Sequence, residues 1–323
     1  MKDVAKKANV AKSTVSLVIN NSGYVSEETR KKVEDAMREL NYIPNRLAKN
    51  FSSQRSHLVG VVVPDIMHPF FSNFVKHLEK SLYDKGYMTM VCSTLGREHV
   101  EQEYLNWLKQ STMDGIIMCS HNLSIQHYID AQKPLVSLDR FLNDDIPVVS
   151  SDHYSAAKIT VSKLRENGCH KVVQFIGSSN ANIKADDYAK YCKELFNGPD
   201  EELIFHKMPI NTFSLKDYFF TASQAFSQNE RVDAFIGTDM VINQCLKISR
   251  QKNIQVPDQL KLIAYDGTQV TGMTYPEISA VVQPIEALAE ESAKLIISVI
   301  EGKEVTGQFN KNQVFWRQGG TTF

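Results

Sequence analysis

The sequence predicts an all-α helix-turn-helix head followed by an α/β core of two lobes, each built around a parallel sheet. Three observations support this fold class. The first 44 residues contain short amphipathic helical patterns that are separated by polar turns. From Leu58 onward, short apolar runs alternate with amphipathic stretches. The chain has 323 residues, 42% hydrophobic and 23% charged, which is enough for two or three globular domains.

Charge is distributed unevenly between these two parts. Residues 1–57 carry eleven Lys and Arg against six Asp and Glu, whereas the remaining residues carry 25 against 31. A basic head joined to an acidic body suggests a polyanionic partner such as nucleic acid. An ordinary solvated surface is the alternative if charge is considered alone.

The five cysteines are widely scattered, which is typical of reduced thiols rather than of a disulfide framework or a metal site. The opening stretch MKDVAKKANV lacks the apolar core of a signal peptide. No run approaches the roughly 20 apolar residues of a membrane span. We therefore expect a cytoplasmic protein without a metal or another cofactor.

The head has the pattern of two short helices and a third helix packed across them. In the stretch VAKSTVSLVIN, Val15 and Val18 give the second helix a buried face, and NNSG then ends it. Ser26 is a good N-cap for the third helix. The outward positions of the second helix are Lys12, Ser13, Ser16 and Leu17. Such a helix fits a major groove, but a three-helix bundle can equally be a structural or protein-binding module.

The segment NYIPNRLAKNFSSQRS predicts a short conditional helix after the head. Pro44 suits the first turn of a helix, and barely two turns follow before the polar SSQRS. Leu47 and Phe51 form an apolar edge, and Arg46 adds charge, as a minor-groove wedge requires. An ordinary interdomain linker is the alternative.

The body contains two series of alternating strands and helices, which predict two parallel sheets with a cleft between them. The runs LVGVVV and GIIMC belong to the first series, and KVVQFI and LKLIAYD belong to the second. We assign residues 1–44 to the head, 45–57 to the hinge helix and linker, and 58–323 to the core. We expect the first lobe to span about 58–150 and 284–308, and the second lobe to span about 151–283 and 309–323.

Polar residues follow the strands of both series at the edge where ligands bind in open parallel sheets. These residues are Asp65, Asp139, Arg140, Asp152, Thr238, Asp239 and Asp266. Carboxylates accept hydrogen bonds from vicinal hydroxyls, and aromatic rings cover the apolar face of a sugar, so the set fits polyhydroxyl compounds. Each acid taken singly is as easily explained as a turn former or a helix cap.

The stretch DVAKKANVAKSTVSLVINNSGYVSEETRKKVEDAMRELNYIPNRLAKNF resembles the DNA-binding head of the lactose/galactose-repressor family of bacterial regulators. The resemblance implies a homodimer that binds a pseudo-palindromic double-stranded operator, with the hinge helices paired in the central minor groove. The residues that it implies for DNA binding are Lys12, Ser13, Thr14, Ser16, Leu17, Asn20, Asn45, Arg46, Leu47, Ala48 and Phe51.

Four positions of this stretch depart from the family pattern. Asn9 stands where the family usually has Gly, a change that a turn tolerates because Asn adopts positive φ more easily than most residues. Ala11 replaces a capping Ser, which removes about 1 kcal/mol of helix stabilisation. Leu17 replaces a commonly polar base-reading residue, and Phe51 replaces a Leu wedge. We therefore expect the operator to differ from the common family consensus.

Residues 58–323 resemble the family's core, which has the periplasmic-binding-protein fold. By that resemblance Asp139, Asp266 and Phe213 contact the effector, and Phe71 lines the wall of the first lobe. The stretch SHNLSIQHYIDAQKPLVSLDRFLNDDIPVVSSDH is most similar to sucrose-operon regulators of Gram-positive bacteria. Where the family commonly has an Arg followed three residues later by Gly, this chain has DYAK, beginning at Asp187. Arg140 and Lys184 are the alternative cations for that site.

These observations favour a sequence-specific repressor of sugar-utilisation genes, controlled by a sugar or sugar phosphate bound between the lobes. The alternative is a cytoplasmic sugar-binding protein with a degenerate DNA-binding head, in keeping with Ala11 and Leu17. An enzyme is disfavoured because the sequence contains no Gly-rich phosphate loop, nucleophile elbow or metal-spaced His and Cys set. Neither the effector nor the operator follows from the sequence.

Overall fold

The computed structural model describes residues 1–43, 55–177, 184–209, 213–305 and 307–323, without the side chains of 184–186 and 308–311. The chain forms two compact units, Met1–Ser56 and His57–Phe323. We call the first unit the head and the second unit the body.

The head is a small helical bundle with a shared apolar core. Its helices are Lys2–Ala8 (α1), Lys12–Asn20 (α2) and Glu27–Glu39 (α3). Val4, Val15 and Val33 are fully buried, one from each helix, so each helix turns an apolar stripe toward the same centre. This arrangement confirms the predicted all-α head.

The helix ends of the head follow the predicted cap chemistry. The Ser26 side chain accepts a hydrogen bond from the Thr29 backbone N–H at 3.4 Å, which caps α3. Ala11 occupies the N-cap of α2, which has no side-chain cap. Asn9 closes α1 in the left-handed conformation with φ 51°, as its tolerance of positive φ predicts.

The body contains two parallel sheets, which confirms the predicted core architecture. The strands of the first sheet are Leu58–Val63 (β1), Met88–Ser93 (β2), Gly115–Met118 (β3), Leu135–Leu138 (β4), Val148–Ser151 (β5) and Gln308–Asn312 (β11). They are ordered β2-β1-β3-β4-β5-β11, and all pairs are parallel. Strands β3 to β5 are buried along their whole length because helices cover both faces.

The second sheet repeats this order as β7-β6-β8-β9-β10-β12. Its strands are Lys171–Gly177 (β6), Glu202–Met208 (β7), Ala234–Thr238 (β8), Lys261–Asp266 (β9), Ser279–Val282 (β10) and Phe315–Arg317 (β12). The last strand differs from its counterpart because β12 runs antiparallel to β10. We call the first sheet with its helices lobe 1, and the second sheet with its helices lobe 2.

Amphipathic helices connect the strands and bury their apolar faces on the sheets. The helices of the body are Pro69–Tyr83 (α4), Glu98–Lys109 (α5), Ile125–Ile129 (α6), His153–Glu166 (α7), Lys184–Leu195 (α8), Leu215–Gln228 (α9), Asp239–Gln251 (α10), Gln269–Gly272 (α11) and Ile285–Ile300 (α12). Lobe 1 and lobe 2 have separate apolar cores. No helix in the described ranges is long and apolar enough to cross a membrane.

The chain passes between the lobes along three segments. The first follows β5, the second follows β10, and the third joins β11 to β12. Because β11 pairs with β5 as far as Asn312, the predicted lobe boundary at residues 308 and 309 falls inside a strand of lobe 1. That boundary was wrong by a few residues because backbone pairing with β5, rather than side-chain pattern, holds this strand in the first sheet.

Candidate functional site

The exposed face of helix α2 in the head is polar except for one apolar side chain. Lys12, Ser13 and Leu17 are exposed, whereas Thr14 and Ser16 are half-buried. Ser13 and Leu17 are one helical turn apart, so they lie on the same face. The outer face therefore offers an ammonium, hydroxyls and one apolar side chain, all of which can meet features of a DNA groove.

Two contacts limit the freedom of this face. The Asn20 amide donates a hydrogen bond to Ser16 Oγ at 3.2 Å, one turn earlier on α2. A Cβ placed on Gly23 would lie 3.2 Å from Leu17 Cδ2, so the turn after α2 supports the Leu17 side chain. Gly23 has φ +72°, which favours glycine at this turn.

The ion pairs of the described part of the head lie away from the outer face of α2. Lys32 pairs with Glu28 within α3, and Lys7 on α1 pairs with Glu39 at the end of α3. Lys12 lies on the exposed face of α2. The predicted hinge residues lie outside the described residues: Asn45, Arg46, Leu47, Ala48 and Phe51.

In the body, Asp139 lies directly after β4 in lobe 1 and has the left-handed φ of 57°. Its carboxylate is 14% exposed and lies 3.0 Å from His153 Nε2. His153 Nδ1 lies 2.5 Å from the Tyr265 hydroxyl, at the end of β9 in lobe 2. A neutral imidazole with its hydrogen on Nε2 satisfies both contacts, since Nδ1 then accepts from Tyr265. His153 therefore links the two lobes.

Asp266 lies at the end of β9 in lobe 2 and has φ 116°. The Gln283 amide donates to Asp266 Oδ1 at 2.7 Å, and Ser151 of lobe 1 donates to Gln283 Oε1 at 2.8 Å. Asp266 is 5% exposed. Burial raises the pKa of its carboxyl well above the usual value, and the nearby charges of Asp239 and Asp139 raise it further. The second link between the lobes thus ends on a buried carboxyl.

Aromatic rings from both lobes also meet around His68. The His68 ring of lobe 1 lies 5.4 Å from Phe71 and 5.2 Å from Phe213 of lobe 2, between ring centroids. Burial lowers the pKa of His68 to about 4, although the charge of Asp65 opposes this shift. Burial is also the main cause of the raised pKa of Tyr218, with contributions from the charges of Asp266 and Asp65. The charges of Asp65 in lobe 1 and Asp266 in lobe 2 thus both act on Tyr218.

Arg140 does not lie with these residues, because its guanidinium is held inside lobe 1. Its Nη1 donates to the carbonyl oxygens of His121 and Leu123, each at 3.2 Å. The guanidinium carbon lies 5.7 Å from the centre of the Tyr128 ring. Asp139 instead contacts His153, so the two neighbouring side chains lie in different surroundings. The Nε atom of Arg140 is also buried and has no hydrogen-bond partner among the described residues.

Two of the predicted acids also have partners within the fold. Asp152 is the N-cap of α7 and accepts from the backbone N–H and the hydroxyl of Ser155, at 2.9 and 2.7 Å. Asp239 accepts from the backbone N–H groups of Gly267 and Thr268, at 3.0 and 2.6 Å. Burial raises the pKa of Asp239 to about 6 despite these hydrogen bonds. Asp239 thus stabilises the turn that follows Asp266 by accepting hydrogen bonds from its backbone.

Two further predicted residues lie at helix starts in lobe 2. Thr238 is the N-cap residue of α10, and its buried hydroxyl has no hydrogen-bond partner among the described residues. Asp187 on α8 is half-buried and lies 3.3 Å from Lys190 Nζ. The side chain of Lys184 lies outside the described residues.

Sequence reasoning missed three residues that join the site together, namely His68, His153 and Gln283. His68 begins the stretch HPFF, whose last residue, Phe71, was predicted. Gln283 directly follows β10 and His153 is the second residue after β5, at two of the passages between the lobes. Polar residues at such passages are the signal that could have identified them.

Comparison with known proteins supports the same division of the chain. Residues 1–45 match the family described as bacterial regulatory proteins, lacI family, and residues 56–306 match periplasmic binding proteins and the sugar binding domain of that family. The chain is 34% identical to the sucrose operon repressor of Streptococcus mutans over 94% of this chain and 93% of that protein. It is 31% identical to the ribose operon repressor of Halalkalibacterium halodurans over 94% and 91%.

Solved structures show the same fold over nearly the whole chain. The crystal structure of the Lac repressor bound to ONPG in the repressed state has a TM-score of 0.85 at 22% identity. The match covers 99% of this chain and 98% of the Lac repressor chain. A transcriptional regulator CelR-cellobiose complex has a TM-score of 0.72 at 22% identity, and the match covers 99% of this chain and 98% of that chain.

Proposed function

This chain belongs to the lacI family of bacterial regulatory proteins, and we propose that it is a homodimeric repressor of sugar-utilisation genes. Its operator affinity is set by a sugar or sugar phosphate that binds between lobe 1 and lobe 2. The protein acts in the cytoplasm by binding alone, without catalysis. The relatives at 30% identity and above include repressors named for sucrose and ribose operons, which supports a sugar as the effector class.

The observation that carries this proposal is the pair of links between the lobes at the strand-end aspartates. His153 joins Asp139 to lobe 2, and Gln283 joins Asp266 to lobe 1. A ligand that contacts either carboxyl also acts on a residue at a passage between the lobes. Binding is thereby coupled to the angle between them.

The effector contacts follow from the residues that face the cleft. Asp139 and Asp266 accept from sugar hydroxyls, and Asp65 adds a further carboxylate near Tyr218. Phe71 and Phe213 pack on the apolar face of the sugar ring. Asp187 and Thr238 complete the proposed set from lobe 2. Asp239 holds the turn after Asp266 through its backbone contacts, whereas Arg140 and Asp152 contact other parts of the fold.

Control of DNA binding requires that the effector bind one arrangement of the lobes better than the other. The shift in operator affinity equals the difference in effector affinity between the two arrangements, and the coupling is reciprocal. We propose that α2 reads bases in the major groove through Lys12, Ser13 and Leu17, supported by Thr14, Ser16 and Asn20. The hinge of Asn45, Arg46, Leu47, Ala48 and Phe51 is proposed to enter the minor groove.

Selection of the full-length protein against random double-stranded DNA at low salt tests this function. The expected result is enrichment of a pseudo-palindrome whose affinity falls steeply with salt, because the basic head neutralises phosphates. A thermal-shift screen of sugars and sugar phosphates then identifies the effector. Failure to enrich any palindrome would exclude the repressor function.

The hinge has its own test in Phe51→Ala. We expect weaker binding to the selected operator and unchanged sugar binding, because a wedge side chain contacts only DNA. Gel-shift titration and calorimetry measure the two quantities on the same preparation. An operator affinity equal to that of the wild type would refute the wedge role of Phe51.

One observation favours a second function, a cytoplasmic sugar-binding protein with a degenerate head. Helix α2 has Ala11 at its N-cap and no side-chain cap, so the helix loses about 1 kcal/mol of stabilisation. Under this alternative the sugar screen succeeds and the DNA selection fails. Restoring the cap with Ala11→Ser would then rescue neither affinity nor selectivity for DNA.

A further inference from the structure

We infer that Leu17 makes this protein select thymine at one position of each operator half-site, through the 5-methyl group of the base. The inference rests on the proposed function of α2 as the helix that enters the major groove. It specifies which base the apolar part of the helix recognises.

Leu17 is an apolar side chain on an otherwise polar outer face. Among the other apolar side chains of α2, Val15 and Val18 are 0% and 6% exposed, and the half-buried Ile19 also packs against the head core. Leu17 is 36% exposed and lies one turn after the exposed Ser13. Its exposed surface therefore meets whatever α2 contacts.

The Leu17 side chain also packs against the turn that follows α2. Its Cδ2 lies so close to the Gly23 backbone that an added Cβ would be only 3.2 Å from it. The groove beside Leu17 is lined by Thr14, Tyr24 and Val25, among others. A side chain supported on one side and exposed on the other loses little rotamer freedom on binding.

Only one apolar group is available to such a side chain in the major groove. Thymine carries a 5-methyl group there, whereas the other base edges display hydrogen-bond donors and acceptors. A leucine placed against guanine or cytosine would leave those polar groups without a partner. The neighbouring Thr14 also carries a methyl group, so the experiment must separate the two residues.

Replacement of thymine by uracil in the selected operator removes only the methyl group. We expect one thymine per half-site at which this replacement weakens binding by roughly fourfold, the change that corresponds to burial of one methyl-sized group at about 0.8 kcal/mol. Replacement in both half-sites should weaken binding by roughly 15-fold if the two effects are additive. Fluorescence anisotropy with full-length protein measures these affinities.

Variants then assign the effect to Leu17. Leu17→Ala should bind the thymine and uracil operators equally, whereas the matched control Thr14→Ser, which loses only a methyl group, should retain the discrimination. Leu17→Arg should change the preferred base at the same position to guanine, since a guanidinium donates to O6 and N7. Because the arginine of Leu17→Arg is polar and exposed, this variant tests the inference even if Leu17→Ala lowers the stability of the head.

The outcomes separate this inference from the proposed function. If a palindrome is enriched but uracil is tolerated at every thymine, the Leu17 inference is overturned and the repressor function stands. The same holds if Thr14→Ser, rather than Leu17→Ala, removes the discrimination. If no palindrome is enriched, both are overturned.

Discussion

Lobe 1 and lobe 2 have the same strand order and place an aspartate at the end of the fourth strand, but the two carboxyls have different surroundings. Asp139 in lobe 1 keeps 14% of its side-chain surface exposed and has an imidazole partner. Asp266 in lobe 2 is buried, has an amide partner, and has a pKa raised by burial. Both residues adopt positive φ, which is uncommon outside glycine.

The difference shows that one topological position can supply two kinds of contact. A partly exposed carboxylate beside an imidazole accepts strongly from a ligand hydroxyl. A buried carboxyl with a raised pKa holds its proton to higher pH and can donate as well as accept. The two lobes have the same strand order, but the Asp139 and Asp266 carboxyls that they supply to the cleft differ in their chemistry. Substitutions in and around the cleft test this difference.

The largest expected effect is that of His153→Leu, which breaks the link from Asp139 to Tyr265. The buried Tyr265 hydroxyl and the Asp139 carboxylate both lose a partner, so we expect the free energy of unfolding to fall by about 3 to 5 kcal/mol. Denaturant unfolding followed by fluorescence measures the change. The matched control is Lys158→Ala on the exposed side of α7, with an expected change below about 1 kcal/mol. Equal effects of the two variants would show that the link does not stabilise the body.

A smaller effect is expected from His68→Phe, which keeps an aromatic ring between the lobes but removes the titratable group. The pKa of His68 is about 4 in the folded protein, whereas an unperturbed histidine has a pKa of 6.5. Between these values the unfolded state binds more protons, so wild-type stability falls as the pH drops from 6.5 to 4. The variant should lose roughly 3 kcal/mol less over this interval.

Parallel melts at several pH values across this interval check the difference. The raised pKa values of Asp239 and Asp266 act in the opposite direction, since their folded forms keep protons that the unfolded chain releases as the pH rises. They are common to both proteins and cancel in the comparison. Superimposable pH profiles of wild type and variant would contradict burial of a neutral His68.

The comparison of the two aspartates is tested most simply by Asp139→Asn and Asp266→Asn. We expect Asp139→Asn to weaken effector binding about 10-fold to 100-fold, because a hydrogen bond to a charged group is lost. Asp266→Asn should cost less than about tenfold, since an amide resembles the protonated carboxyl. Calorimetry with the sugar found by screening gives both constants. Equal losses would mean that the two carboxyls act alike.

The smallest expected effect is that of Asp152→Ala, which removes the cap of α7 but no cleft residue. Stability should fall by about 1 kcal/mol, and effector affinity should not change. The same calorimetric titration and a thermal melt are sufficient. A marked loss of effector affinity would show instead that Asp152 contributes to effector binding.

Much of this arrangement follows from the sequence, because strand ends in a parallel sheet are predictable from apolar runs. LVSL and KLIAYD place Asp139 and Asp266 at one edge of their sheets. The capping role of Ser26 and the turn at Asn9 likewise follow from local chemistry.

Long-range contacts were not predictable in the same way. Arg140 is adjacent to Asp139 in sequence, yet the carbonyls that hold it come from residues 121 and 123. Asp239 ends a strand like the others, but its turn brings it onto the backbone of residues 267 and 268. Gln283 reaches Ser151 across 132 positions of the chain. Such partners depend on the packed fold, which no local pattern encodes.

Operator affinity in the absence and presence of the effector tests the central claim most directly. Fluorescence anisotropy of the full-length protein with its selected operator should give dissociation constants that differ by about tenfold or more at saturating sugar, a coupling of about 1.4 kcal/mol. The constants should converge in His153→Leu if that link transmits the signal. An operator affinity that is unchanged while calorimetry shows the sugar bound would contradict the account.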